Sequence, residues 1–140
     1  PVEVLASQIK GETGVDVSMI GQMKFANGVT AQISSGFRCP FRQGAHIVGE
    51  QGIIQIYEPW KPCANGRDSH IDLFTGDDDP TETITIPATG NNPYLWEVKT
   101  MEACVLDGVK PVVPLSLSRE FLRSILALYE SASSGQPVRL

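Results

Sequence analysis

Asp16-Val17-Ser18-Met19-Ile20-Gly21-Gln22-Met23-Lys24-Phe25-Ala26-Asn27-Gly28-Val29-Thr30-Ala31-Gln32-Ile33-Ser34-Ser35-Gly36-Phe37-Arg38 is the stretch whose reading decides the fold. Asn27-Gly28 ordinarily marks a two-residue hairpin turn. That register would set Met23 against Gln32 and Val17 against Arg38, mixing apolar and polar side chains on both faces. A three-residue loop, Ala26-Asn27-Gly28 with Gly28 left-handed, pairs Phe25 with Val29, Met23 with Ala31, Gly21 with Ile33, Met19 with Ser35 and Val17 with Phe37. A slip of one residue would send every side chain to the wrong face, so the spacing predicts this hairpin and this register. The opposite face carries Gln22 with Gln32, Ile20 with Ser34, and the cross-strand pair Asp16 and Arg38. An exposed ion pair of that kind contributes about 0–1 kcal/mol. A solvated face is the ordinary state of an antiparallel sheet, though this one could also meet another sheet or subunit.

Strand patterns extend on both sides of the hairpin. Val2-Glu3-Val4-Leu5-Ala6 reads as strand from the first residues, so the chain looks like a domain cut from a longer protein. Downstream, Ala45–Gly49 and Ile53–Tyr57 form a second hairpin around Glu50-Gln51-Gly52, in which Gly52 supplies the positive φ of a bulged turn. A third hairpin joins Ser69–Phe74 to Glu82–Ile86 through Gly76-Asp77-Asp78-Asp79-Pro80. Between them Glu58 to Asp68, with Pro59, Trp60, Pro62 and Gly66, is irregular. Two helices follow. The first has Pro93 in its opening turn, a stripe of Tyr94, Val98, Met101 and Val105, and an end near Gly108. The second has Ser116 or Ser118 as N-cap, an apolar side of Phe121, Leu122, Ile125, Leu128, Tyr129 and Ala132, and a stop at Gly135. Both stripes are expected to pack as core, and Val138-Arg139-Leu140 adds a short edge strand. Strands first and helices last predict an α+β fold. Its large, mainly antiparallel sheet would carry helices on one face and leave the other open, a two-layer arrangement over residues 1–140 as one domain.

Composition narrows the function. With 140 residues, 41% hydrophobic and 19% charged, the chain can close one core. A net charge of −5 disfavours nucleic acid and anionic lipid, and no apolar run reaches bilayer length. Cys39, Cys63 and Cys104 are scattered and odd in number, as in a cytoplasmic protein with reduced thiols, and with His46 and His70 they form no metal motif.

Motifs for chemistry are few. A Gly-x-Gly-x-x-Gly turn, a Walker loop and a Gly-x-Ser-x-Gly elbow are all missing. Asp77-Asp78-Asp79 reads as a solvated turn rather than a calcium loop. His46 could act as a base with Asp72 or Glu50, but no positioned nucleophile supports such an enzyme. Trp60 and Lys61 would line a binding mouth or anchor the long loop.

Four segments in order carry a family resemblance. They are Phe25–Ala31, Ile47–Ile56, the helix from Asn92-Pro93-Tyr94 to Asp107-Gly108-Val109-Lys110-Pro111, and Ser131-Ala132 with Gly135–Leu140. Together they resemble the carboxy-terminal domain of the glucose–fructose oxidoreductase, inositol dehydrogenase and MocA family. The resemblance implies an amino-terminal Rossmann domain that binds NAD or NADP, and a second domain that shapes the pocket for a sugar, inositol or related polyol. It also implies homo-oligomer contacts through the open sheet face, here Gln22, Gln32 and Ser34. The family's catalytic Glu-Lys-Pro and Asp-x-x-x-His segments have no counterpart, so no catalytic residue is carried over and these residues alone should be inactive. Substrate contacts are implied at Arg38, Phe41 and Arg42, where guanidinium donors suit hydroxyls or a carboxylate. The alternative is a free-standing, non-catalytic α+β module that dimerises or binds a partner without turnover.

Overall fold

Among the described residues, alternation with period two, broken by glycine turns, builds eight strands, and two apolar stretches build two helices. A computed structural model describes residues 1–76, 78–90 and 92–140; Asp77 of the acidic turn lies outside the described residues. The chain forms two compact units, Pro1–Pro40 with Val112–Leu140, and Phe41–Pro111.

The first unit contains β1 (Glu3–Lys10), β2 (Asp16–Lys24), β3 (Thr30–Gly36), α2 (Leu115–Ser134) and β8 (Val138–Arg139), and its sheet runs in the order β3-β2-β1-β8. The β2–β3 hairpin has the register read from its sequence: Met23 faces Ala31, Gly21 faces Ile33 and Met19 faces Ser35. Its loop closes as expected, with Gly28 left-handed at φ 87° and its N–H donating to the Phe25 carbonyl at 3.0 Å. The Asp16–Arg38 pair does not form. Asp16 instead accepts the Tyr129 hydroxyl of α2 at 2.9 Å, which holds the Tyr129 pKa above its ordinary value.

One face of this sheet presents Val4, Ala6, Met19, Gly21 and Met23, and α2 lies on it through Ala127, Leu128 and Ala132. Leu128, only 3% exposed, is the centre of this small core. Ser131 locks the arrangement. Its fully buried hydroxyl accepts the Ala6 N–H at 3.0 Å and donates to the Gln136 carbonyl at 2.7 Å, tying α2, β1 and the turn into β8 together. Gly135 ends the helix with φ 69°, as read. The start differs from expectation: Pro114 is the N-cap rather than Ser116 or Ser118. Proline's fixed φ suits entry into a helix, and Ser118 lies inside the first turns, donating its N–H back to the Pro114 carbonyl.

The second unit is a meander, β4 (Ala45–Gly49), β5 (Gly52–Ile56), β6 (Ser69–Phe74) and β7 (Glu82–Ile86), followed by α1 (Pro93–Leu106). Its register sorts Ile47, Ile54, Ile71, Leu73 and Ile84 to one face, and His46, Gln55, His70, Asp72 and Thr83 to the other. The loop from Glu58 to Asp68 is anchored by Cys63 rather than by Trp60, which is 73% exposed. Cys63 is buried, donates its N–H to Ser69 Oγ at 2.8 Å and reaches the Ile86 carbonyl through its thiol; Ser69 in turn donates to Glu58. α1 is capped by Asn92, whose side chain accepts the Tyr94 and Leu95 N–H groups. It buries no residue, so its expected core stripe is not formed: Tyr94, Val98, Met101 and Val105 are each more than half exposed. Leu95, Trp96 and Leu106 spread apolar surface around the helix, so no single stripe directs it onto a sheet.

Candidate functional site

On the face of the first sheet opposite α2, pairing brings the expected contact residues together. Gln22 faces Gln32 directly, and Ser34 faces Ile20 on the neighbouring rung. With Leu5 and Ser7 of β1, and with Ala6, Gly21, Ile33 and the Ala132 and Gly135 end of α2, they line an open depression of about 740 Å³. Ile20 at its centre is 57% exposed, so aliphatic groups lie beside amides and hydroxyls.

The other expected site is the segment leaving β3. Arg38 lies at the end of the first unit, while Phe41 and Arg42 open the second. All three are exposed, Phe41 to 87%, and the intervening Cys39 thiol points back at the Gly36 carbonyl.

A third cluster was missed in the sequence. Asp72, 8% exposed, accepts the Thr83 hydroxyl at 2.7 Å and the Tyr57 hydroxyl at 2.8 Å, one on each carboxylate oxygen. These donors, with the charge of His70 nearby, hold its pKa below the ordinary carboxylate value, and donation to Asp72 raises that of Tyr57. Period-two alternation already places His70 and Asp72 on one face, but the return of Tyr57 across the sheet is invisible in the sequence. Asp72 is therefore an ionised clamp with both oxygens occupied, ill suited to act as a base. Nor does it meet His46. Gln55 stands between them in the register, two strand spacings or about 9–10 Å. Glu50 lies in the turn beyond β4, so the His46 constellation with Asp72 or Glu50, which the sequence left without a positioned nucleophile, is not assembled.

A group whose folded pKa is lowered contributes stability above its unfolded pKa and loses it as pH falls through the folded one. Asp72→Asn should therefore cost stability at pH 5 and above. The difference from the parent should shrink as the pH falls below about 4. Urea midpoints of both proteins between pH 7 and 2 read this directly, and a gap that stayed constant with pH would contradict the clamp.

Among the described residues the one strand-to-helix connection, from Ile86 to Pro93, carries a single glycine, Gly90, rather than a Gly-x-Gly pair before a helix. Among the described residues no helix is long and apolar enough to cross a membrane. Among the described residues no three His, Cys, Asp or Glu side chains gather as a metal site would require.

No protein-family model matches the chain. It is similar to D-xylose 1-dehydrogenase (NADP(+)) 2 of Haloferax volcanii, with 29% identity over 130 residues, 92% of this chain and 38% of that protein. It is also similar to trans-1,2-dihydrobenzene-1,2-diol dehydrogenase of Xenopus tropicalis, with 30% identity over 132 residues, 90% of this chain and 38% of that protein. The crystal structure of aldose-aldose oxidoreductase from Caulobacter crescentus shares the fold, with a TM-score of 0.78 and 22% identity over the whole of this chain and 41% of that one. The chain thus spans about two-fifths of the length of the relatives it matches. Its α+β architecture and its match to sugar and diol dehydrogenases agree with the resemblance to the glucose–fructose oxidoreductase, inositol dehydrogenase and MocA family.

Proposed function

We propose that residues 1–140 form the substrate-binding and oligomerisation domain of a longer, cytoplasmic NAD(P)-dependent oxidoreductase that moves hydride to or from a sugar, inositol or related polyol. The observation that carries this reading is the pair of matched relatives. Both are dehydrogenases, one named for an aldose and the other for a cyclic diol, and each is matched over nine-tenths of this chain. Both named substrates present at least two hydroxyls, and the exposed guanidinium groups of Arg38 and Arg42 with the Phe41 ring suit a hydroxyl-bearing molecule with an apolar face. The nicotinamide cofactor supplies the hydride chemistry and is held by an amino-terminal Rossmann domain, because these residues lack the glycine fingerprint. On their own they bind no dinucleotide and turn nothing over.

The test uses the full-length protein from the parent gene beside this chain, titrated with NADH and NADPH and assayed on aldoses, inositols and cyclic diols. The full-length protein should bind one nucleotide at micromolar levels while this chain binds neither. Arg38→Ala, Phe41→Ala and Arg42→Ala should each raise KM about tenfold, the equivalent of about 1.4 kcal/mol of binding. A full-length protein without dinucleotide affinity would retire the enzyme in favour of a binding module, and unchanged KM values would remove the segment from the substrate site.

The depression over Leu5, Ile20, Gln22, Gln32 and Ser34 is the proposed contact between subunits. Ile20→Arg places a charge at its exposed centre without touching the α2 side of the sheet. Sedimentation should show an oligomer for the parent sequence and a monomer for the variant. A parent that is monomeric at about 100 μM, far above the Kd of about 1 μM of an association worth about 8 kcal/mol, would sink the assignment.

A further inference from the structure

We draw no further inference here: the strongest candidate, the half-exposed apolar face of the second sheet made by Ile47, Ile54, Ile71, Leu73 and Ile84, carries nothing because nothing in the structure shows what covers it.

Discussion

Gly52→Ala should lower the stability of the second sheet by on the order of 3 kcal/mol, the sum of a backbone and a steric penalty. Gly52 opens β5 with φ 154°, a region that side chains rarely adopt. A Cβ built there would lie 2.3 Å from the Phe74 carbonyl oxygen and 3.3 Å from its carbon. Those are backbone atoms of the neighbouring strand, so no rotamer change relieves the contact; β5 and β6 must separate. Gly49, its partner across the same hairpin, is the internal control. A Cβ at Gly49 meets only the Gly52 carbonyl at 3.8 Å, ordinary van der Waals contact. Gly49→Ala should therefore cost less than about 1 kcal/mol. Thermal unfolding of the two variants decides the matter, since 1 kcal/mol shifts the midpoint of a small domain by roughly 4–8 °C. Equal losses in both would mean that the close approach of Phe74 is not what requires glycine.

Leu128→Ala should destabilise the first unit by about 2–5 kcal/mol, the range for removing a buried leucine from a core that collapses only in part. That core is small. Its buried apolar residues are Val4, Ala6, Met19, Ala127 and Leu128, so the loss is a large share of a marginal total. A second substitution tests the packing itself. A Cβ on Gly21 would meet Leu128 Cδ2 at 2.8 Å and Ile33 Cγ1 at 3.3 Å. Gly21→Ala alone should therefore cost about 1–3 kcal/mol through overpacking. In the Leu128→Ala background the same methyl enters vacated space, and most of that cost should disappear. The double-mutant cycle should return a favourable coupling of about 1 kcal/mol or more. Strict additivity would show that Leu128 and Gly21 do not share the space the structure assigns them.

Both predictions concern contacts that the sequence does not display. Gly52 was expected to be glycine for a bulged turn, and it does have a positive φ. Its tighter requirement is the approach of Phe74, 22 positions away by subtraction and brought there by the β5–β6 pairing. In the same way the pattern of α2 marked Leu128 and Ala132 correctly, but equally marked Phe121, Leu122 and Ile125, which stay about half exposed. A helix presents a broad apolar side, and only the width and tilt of the sheet beneath decide how much of it is covered.

Along this chain the sequence by itself determined whatever depends on neighbours a few residues apart or on strict alternation. The Ala26-Asn27-Gly28 loop, the Met23–Ala31 register, the strands Ser69–Phe74 and Glu82–Ile86, Pro93 near the start of α1 and Gly135 after α2 all follow from φ preference and period two. The same alternation placed Gln22, Gln32 and Ser34 on one face, and the ordered family segments pointed to the oxidoreductase domain the relatives support. Tertiary structure alone decided which polar groups meet across long stretches of chain. Ser131 meets Ala6 from 125 positions away, Tyr129 takes Asp16 from Arg38, and Tyr57 with Thr83 closes on Asp72. Such contacts rest on how the helix lies on its sheet and how strands order themselves, and a hydroxyl or carboxylate carries no local mark of its distant partner. What the sequence encodes there is only the capacity for a hydrogen bond; burial removes water as a competitor and selects the partner.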